Sequence, residues 1–178
     1  MYENSLPLIV KALAFSARKH RDQRRKDIEA TPYVNHPINL MDILVNEAGI
    51  SDTETLLTAL LHDTIEDTET TFEELENEFG LVIASLVMEV SDDKSLSKLE
   101  RKAMQVSHAP ELSDKAKLVK LADKISNLRD IKRSPPVGWE LSRVQAYFDW
   151  AKRVIDGLKG THSGLEKLFD EIHQKRPQ

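Results

Sequence analysis

The stretch Leu60-Leu61-His62-Asp63-Thr64-Ile65-Glu66-Asp67-Thr68 decides how the chain folds and what it carries. It follows directly on an apolar run and crowds one histidine and three carboxylates together. If helical geometry continues through it, Glu66 lies one turn beyond His62 and Asp63, and Asp67 one turn beyond Asp63. An imidazole and three carboxylates then surround one small volume, where like charges repel and lose hydration unless a cation lies among them. The stretch therefore predicts half of a metal site.

The composition is ordinary for a globular protein, with 178 residues, 40% hydrophobic and 31% charged. Cysteine is absent, which excludes disulfides, zinc fingers and thiol catalysis. The net charge of -5 argues against broad nucleic-acid binding. The start, Met1-Tyr2-Glu3-Asn4, lacks the basic region of a signal peptide, and no apolar run is long enough to cross a bilayer. We therefore expect a cytoplasmic protein with neither a nucleic acid nor a membrane as partner.

The rest of the chain reads as a succession of helices. The predicted helices cover Leu6 to Arg21, Pro37 to Ala48, a segment from Asp52 that delivers His62, Phe72 to Phe79, Leu81 to Val90, Leu96 to His108, Asp114 to Ile131, Trp139 to Leu158, and a last helix from Thr161. Asp52 and Ser113 are predicted N-caps, and Thr71 with Glu74 a capping box. No segment shows sustained two-residue alternation, so strands are not expected. We predict a single all-α domain.

Other metal ligands have to come from distant helices, because His62 and Asp63 cannot fill a coordination sphere alone. His36 stands beside Pro37 at a predicted helix start. Asp123 lies within an otherwise apolar helix, where a carboxylate is costly unless it is paired or bound to metal. Together the four residues offer two nitrogens and two oxygens. Such a set without sulfur suits manganese or another divalent transition metal.

Each of these residues also has an ordinary interpretation. A His-Asp pair on a helix is commonly a surface pair or a cap, and Asp123 could form a buried salt bridge with Lys120 or an arginine. Glu66 and Asp67 could form an acidic cap on the next helix. Four other histidines stand in polar contexts and are expected to be exposed, namely His20, His108, His162 and His173.

Longer motifs resemble the hydrolase domain of the RelA/SpoT family, which belongs to the HD-domain metal-dependent phosphohydrolases. They are Arg24-Arg25-Lys26-Asp27, Pro32-Tyr33-Val34-Asn35-His36-Pro37, the stretch from Ala59 to Thr68, and Lys120-Leu121-Ala122-Asp123-Lys124-Ile125-Ser126-Asn127-Leu128-Arg129. The similarity runs from about Leu6 to Lys167 and is closest to the metazoan-type SpoT homologues, which are stand-alone small alarmone hydrolases. It implies one HD-type bundle of about ten helices over residues 1–178, with its core at about 6–167 and without a synthetase or regulatory domain.

The resemblance implies a manganese-dependent hydrolysis of the 3′-pyrophosphate of (p)ppGpp, which gives GDP or GTP plus pyrophosphate. The family's metal ligands fall on His36, His62, Asp63 and Asp123. Its catalytic acidic pair falls on Glu66 and Asp67, and its base-stacking arginine with a neighbouring lysine on Arg25 and Lys26.

An acidic protein needs local positive charge to hold such an anionic nucleotide. The basic cluster from Arg18 to Lys26 is the predicted device, since arginine binds phosphate in a bidentate way and stacks on bases. Lys98 is a further candidate phosphate contact, with a solvated lysine as the alternative. Two pairs on shared helix faces complete the predicted nucleotide site, namely Asn127 one turn after Asp123 and Tyr147 one turn after Arg143.

Two other functions fit the same residues. An HD-type phosphatase could act on another phosphorylated nucleotide such as NADPH, and would release phosphate instead of pyrophosphate. A non-catalytic nucleotide sensor would only bind. The presence of both Glu66 and Asp67 disfavours the sensor, because binding alone does not need a pair of carboxylates that activates water.

Overall fold

A computed structural model describes residues 5–178. The four residues from Met1 to Asn4, which entered the signal-peptide argument, lie outside this range. The helices within it are α1 (Leu6–Lys19), α2 (Asn35–Asp42), α3 (Thr53–Leu61), α4 (Thr64–Asp67), α5 (Phe72–Phe79), α6 (Leu81–Val90), α7 (Lys98–His108), α8 (Asp114–Arg133), α9 (Leu141–Asp156) and α10 (Ser163–His173). A π-helical turn, Ile43–Glu47, continues α2, and a 3-10 turn, Ala109–Glu111, precedes α8.

The prediction of an all-α fold of about ten helices is confirmed. Across residues 5–178 the only β-type pairing is an isolated antiparallel bridge between Arg24 and Pro32, in the loop that joins α1 to α2. In the same range, no helix has both the length and the apolar character needed to cross a membrane.

Helix α8 is the centre of the fold. It packs against α2, α3, α6, α9 and α10, and Leu121, Ala122, Ile125 and Leu128 along it are fully buried. Burial of such apolar side chains supplies most of the free energy that holds helices together. Because neighbours surround α8, its polar residues at this level are also carried into the interior, and Asp123 is one of them.

The predicted N-caps are in place, although the predicted capping box is half wrong. Asp52 accepts a hydrogen bond from the backbone N–H of Thr55 at 2.9 Å, and Thr71 accepts one from the N–H of Glu74 at 3.1 Å. The carboxylate of Glu74 does not return to Thr71 but binds Lys19 Nζ at 2.7 Å. A reciprocal capping box forms instead at the start of α7, between Ser97 and Glu100.

Several helix boundaries differ from the prediction by about two residues, and two of the differences have a clear local reason. Helix α9 begins at Leu141, not at Trp139, because the N–H of Trp139 binds the carbonyl of Pro136 at 3.0 Å in a turn. Gly138 allows that turn with a φ of 77°. The helix predicted to run to Ala48 changes to a π-helical turn, where the N–H of Ala48 binds the carbonyl of Ile43 at 3.0 Å.

The stretch from Leu60 to Thr68 is not one continuous helix. Helix α3 ends at Leu61. The hydroxyl of Thr64 donates a hydrogen bond to the carbonyl of Leu61 at 2.6 Å. A new turn, α4, then begins at Thr64. The N–H of Asp67 still binds the carbonyl of Asp63 at 2.7 Å, so these two residues stay one turn apart. The break places His62 and Asp63 at the junction of two helices.

Candidate metal centre and active site

Three buried side chains from three helices meet at one point. His36 comes from the first turn of α2, His62 from the residue after α3, and Asp123 from α8. Each offers one ligand atom, and these atoms all lie within 4.8 Å of one another. The exposed fractions of the three residues are 2%, 6% and 8%. Burial rules out the ordinary interpretation of His62 as part of a surface pair.

Asp63 adds a second carboxylate to this cluster. Its Oδ2 atom lies 2.8 Å from Nε2 of His62 and 3.8 Å from Nε2 of His36. Nε2 of His36 is also 3.1 Å from Oδ1 of Asp123. All four residues that the sequence suggested as ligands therefore lie together.

Hydrogen bonds on the far side of each imidazole determine which nitrogen faces the cluster. Nδ1 of His62 donates to the carbonyl of Ala59 at 2.9 Å, and Nδ1 of His36 lies 3.3 Å from the hydroxyl of Ser126, which accepts from it in the matching tautomer. In the neutral form of each ring both Nε2 atoms then present lone pairs, and Nε2 of His62 has no hydrogen-bond partner anywhere in residues 5–178. Lone pairs that face carboxylate oxygens this closely need a cation between them, so the residues fit a divalent metal ion.

The protonation states of His36, Asp63 and Asp123 agree with such a site. Burial lowers the pKa of His62, but the charges of Asp63 and Asp123 outweigh it and raise this pKa, so a proton on His62 takes the place of a cation when no metal ion is bound. Burial lowers the pKa of His36, which keeps its imidazole neutral. Burial alone would raise the pKa of both Asp63 and Asp123. The imidazole of His62 outweighs this effect at Asp63, and Lys124 with His36 outweighs it at Asp123, so both carboxyl pKa values fall below the usual range. A neutral imidazole and ionised carboxylates are the forms that bind a metal ion.

Asp123 is also part of a buried salt bridge, and its partner is Lys124, not Lys120. Lys124 Nζ donates to Oδ2 of Asp123 at 2.8 Å, whereas Lys120 Nζ donates to the carbonyl of Val90 at 2.6 Å. The other carboxylate oxygen, Oδ1, accepts from Asn127 Nδ2 at 2.6 Å and faces His36. The salt bridge therefore holds one oxygen and leaves the other turned towards the cluster.

Glu66 occupies a partly buried position beside the cluster. Its Oε2 accepts from the backbone N–H of Asp92 at 3.1 Å, and its Oε1 lies 3.5 Å from Arg101 Nη1. Burial, together with the negative charges of Asp92 and Asp63, raises the pKa of Glu66 to about 7. A carboxyl with such a pKa can either accept or donate a proton near neutral pH.

Asp67 is held on both carboxylate oxygens. Lys94 Nζ donates to Oδ1 at 2.5 Å, and the hydroxyl of Tyr33 lies 3.1 Å from Oδ2. The side-chain amide of Gln23 donates to the backbone carbonyl of Asp67. Neither Glu66 nor Asp67 caps the next helix, α5, because Thr71 is its N-cap residue.

A cavity of about 450 Å³ is lined in part by Asp67 but not by Glu66, and its volume is in the range of small-molecule sites. Arg25, Lys26, Asn127 and Tyr147, four of the residues expected to contact the nucleotide, line it together with Tyr33, Asp67 and Trp139. Arg25 Nη2 donates to Oδ1 of Asn127 and to Oδ2 of Asp130, each at 3.0 Å. Asn127 thus contacts both Arg25 and Asp123.

Lys98 and Arg143 lie next to this cavity but do not line it. Burial lowers the pKa of Lys98, and the positive charges of Arg143, Lys26 and Arg101 lower it further. The guanidinium of Arg143 lies 4.4 Å from the ring centroid of Trp139, which does line the cavity. These residues form a positively charged rim.

Two expectations about the basic segment are wrong. The segment does not act as one cluster, because Arg18 and Lys19 end α1 and lie over the ring of Phe15, and Lys19 pairs with Glu74. Only the part from Gln23 onwards reaches the cavity. His20 is buried, with 2% of its surface exposed, and stacks on Tyr33 with ring centroids 4.8 Å apart. Of the other histidines expected to be exposed, His108 is exposed, whereas His162 is half-buried as the N-cap of α10 and His173 is half-buried against Phe169.

Sequence reasoning missed several residues of the site. Tyr33, Lys94, Arg101 and Lys124 contact candidate ligands or acidic residues. The sequence could have indicated Lys124, since a lysine beside an aspartate in an apolar helix suggests a buried ion pair. The sequence gives no indication of Lys94 and Arg101, because only the packing of α7 and the preceding loop brings them to α4.

Comparisons with known proteins identify the family of this chain. A family model for the HD domain matches residues 12–148. The chain is 58% identical over 165 residues to the guanosine-3′,5′-bis(diphosphate) 3′-pyrophosphohydrolase MESH1 of Xenopus tropicalis, an alignment that covers 93% of this chain and 92% of that one. The chain belongs to the MESH1 family of HD-domain proteins. The human member is 55% identical over 168 residues, which cover 94% of each chain.

A solved structure supports the same membership. It is described as a metazoan ortholog of SpoT that hydrolyzes ppGpp and plays a role in starvation responses. The two folds superpose with a TM-score of 0.92 at 51% identity, over 94% of each chain. The resemblance to metazoan-type SpoT homologues that the sequence motifs indicated is confirmed.

Proposed function

We propose that this protein is a metal-dependent hydrolase that removes the 3′-pyrophosphate from (p)ppGpp and leaves GDP or GTP. The observation that carries the proposal is the buried cluster of His36, His62 and Asp123, in which Nε2 of His62 is left without a hydrogen bond among the described residues. A cavity whose wall includes Arg24, Arg25 and Lys26 lies nearby. The MESH1 relatives, more than half identical to this chain, are named for this reaction.

The proposed ligands are His36, His62, Asp63 and Asp123, and the proposed ion is Mn²⁺. Two imidazole nitrogens and two carboxylate oxygens suit a borderline or hard divalent cation, and the absence of sulfur disfavours a soft one. The chemistry that a divalent ion supplies when bound is polarisation of a phosphoryl oxygen and a lower pKa for water. The far-side hydrogen bonds of both imidazoles fix the ring orientations that ligation needs.

The proposed catalytic pair is Glu66 and Asp67. The attacking water adds its oxygen to the phosphorus that carries the 3′ oxygen of the ribose, the bond between that phosphorus and the 3′ oxygen breaks, and the 3′ oxygen takes up a proton. Glu66, with its pKa near 7, is suited to accept the proton that the water loses. Asp67, held by Tyr33 and Lys94, is suited to orient the water.

The cavity offers a place for the nucleotide. Arg25 and Tyr147 supply flat groups on which a base can stack, and Lys26 supplies positive charge. Asn127, between Arg25 and Asp123, is suited to contact the ribose or a phosphate near the metal ligands. Lys98 and Arg143 at the rim are suited to bind the remaining phosphates. The organisation as one domain and the cytoplasmic location stay predictions of the sequence.

The test is to incubate metal-loaded protein with ppGpp, pppGpp and NADPH and to identify the products by chromatography and phosphorus NMR. We expect pyrophosphate with GDP or GTP from the first two, most rapidly after loading with Mn²⁺ in a panel of divalent ions. Phosphate from NADPH without any reaction of ppGpp would replace this function with that of a different HD-type phosphatase. Binding of ppGpp without any product would indicate a sensor.

A further inference from the structure

The hydroxyl of Tyr33 lies between two carboxylates that belong to different parts of the proposed site. It is 2.6 Å from Oδ2 of Asp63, a proposed ligand, and 3.1 Å from Oδ2 of Asp67, a proposed catalytic residue. The contacted oxygen of Asp63 is the one that faces Nε2 of His62. Tyr33 therefore joins the metal ligands to the catalytic pair through a single oxygen atom.

A phenol carries only one hydrogen, which the two carboxylates have to share. Its donation to Asp63 is the shorter contact, and Asp67 is the second, more distant acceptor of the same hydrogen. Burial raises the pKa of Tyr33, and the charges of Asp63 and Asp67 raise it further, so the phenol stays protonated. The hydroxyl is thus a donor that draws both carboxylates together, not a base or a nucleophile.

The ring that carries this hydroxyl is fixed from several directions. It stacks on the buried His20, and the guanidinium of Arg25 lies 5.6 Å from its centroid. The backbone N–H of Tyr33 binds the carbonyl of Gln23 at 3.1 Å. A hydroxyl on such a ring has little conformational freedom, so its hydrogen bonds can hold the two carboxylates in fixed positions.

The other partner of Asp67 is a weaker anchor. Lys94 is attached through a flexible chain, and 49% of its side chain is exposed. An ion pair of this kind contributes little to a fixed geometry, because water and salt compete with it. The position of the Asp67 carboxylate then depends mainly on the partly buried hydroxyl of Tyr33.

From these contacts we infer that Tyr33 is a positioning residue, whose hydroxyl sets the distance between the ligand Asp63 and the catalytic Asp67. The inference rests on the proposed function for the roles of the two carboxylates. The hydroxyl and the ring of Tyr33 then have separate roles. The hydroxyl serves turnover and metal affinity, and the ring, through its contact with Arg25, serves nucleotide binding.

Tyr33→Phe tests the hydroxyl alone, because the ring stays. With saturating Mn²⁺ we expect kcat for ppGpp to fall about 10- to 100-fold, which is the usual effect of losing a group that orients a metal ligand. KM should change less than about threefold, because Arg25 keeps its neighbour. The dissociation constant for Mn²⁺, measured by calorimetry without nucleotide, should rise about tenfold. Tyr33→Leu, which removes the ring as well, should in addition raise KM.

A double-mutant cycle with Asp67→Asn separates the two contacts of the hydroxyl. If Tyr33 acts on turnover through Asp67, Tyr33→Phe should lower kcat much less in the Asp67→Asn background than in the parent protein. Its effect on Mn²⁺ affinity should persist there, because Asp63 is unchanged. An equal loss of kcat in both backgrounds would show that Tyr33 does not act through Asp67 and would overturn the inference.

A purely structural role also gives a distinct result. In that case Tyr33→Phe would lower the melting temperature and leave kcat and Mn²⁺ affinity at parent values, and this outcome would overturn the inference. Failure of the proposed function is recognisable separately, because the parent protein would then release no pyrophosphate from ppGpp. The Mn²⁺ titration of Tyr33→Phe would still test the contact with Asp63.

Discussion

Nε2 of His62 lies 2.8 Å from Oδ2 of Asp63, yet it has no hydrogen-bond partner within residues 5–178. In the neutral imidazole the proton is on Nδ1, where the carbonyl of Ala59 accepts it. In that form a buried lone pair points at the partly buried negative charge of Asp63. A metal ion relieves this repulsion directly, which is why the two adjacent residues make sense as a pair of ligands.

The first prediction concerns the ligands. His62→Ala and Asp123→Ala should each lose the bound ion and nearly all hydrolysis of ppGpp, because each removes a donor from a set of only four. His108→Ala is the matched control, since this histidine is exposed on α7 and should leave metal content and turnover unchanged. Metal content by atomic emission and initial rates of pyrophosphate release measure both effects. Full turnover of the parent protein in excess chelator would contradict the prediction.

The second prediction concerns stability. The proposed ligands come from separate helices, so an ion that binds them also ties α2, α3 and α8 together. At 100 times its dissociation constant, Mn²⁺ should stabilise the fold by about 2.7 kcal/mol. Melting curves at increasing Mn²⁺ measure this, with Asp123→Ala as the variant that should not respond. A melting temperature of the parent protein that is indifferent to Mn²⁺ would count against the site.

Sequence reasoning found the cluster because its residues conflict with their surroundings. Asp123 in an apolar helix and His62 with Asp63 behind an apolar run were visible as charges at buried positions. The fold class followed equally directly from helical periodicity and from the caps at Asp52 and Ser113.

The supporting contacts could not be predicted in the same way. His20 looked exposed because its neighbours in sequence are charged, but the end of α1 turns it inward against Tyr33. Lys94 and Arg101 reach the acidic pair only through tertiary packing. Side-chain contacts across loops depend on where the loops pass, and local sequence patterns do not encode that path.

The third prediction separates nucleotide binding from turnover. Arg25→Ala should raise KM for ppGpp more than it lowers kcat, because a stacked guanidinium contributes similarly before and during the reaction. The control is Arg21→Ala, an arginine with 78% of its side chain exposed whose side chain, within residues 5–178, pairs only with the adjacent Asp22. Steady-state kinetics of the two variants provide the comparison. A collapse of kcat at constant KM would move Arg25 into the catalytic group.

The fourth prediction uses the raised pKa of Glu66, which is about 7 in the folded protein against an ordinary value of 4.5. A carboxyl with a higher pKa in the folded than in the unfolded state lowers stability progressively as the pH rises between the two values. Glu66→Gln removes this penalty. The metal-free variant should therefore melt at a higher temperature than the parent at about pH 8, and the difference should shrink towards about pH 5.

The control for this measurement is Glu69→Gln, an exposed glutamate shortly after the same helix. Melting temperatures of the three proteins at several pH values, in the presence of chelator, are required. A difference between Glu66→Gln and the parent that stays constant from about pH 5 to about pH 8 would contradict the prediction.

The most direct test of the account is a titration of ppGpp onto manganese-loaded Glu66→Gln, with pyrophosphate release followed in the same sample. The glutamine keeps the shape of the side chain but cannot accept the proton of the attacking water. Turnover should therefore fall about 100-fold or more, while ppGpp binds at least as tightly, because a negative charge near its phosphates is removed. Bound manganese should stay at the parent level. Release of pyrophosphate at the parent rate would contradict the mechanism.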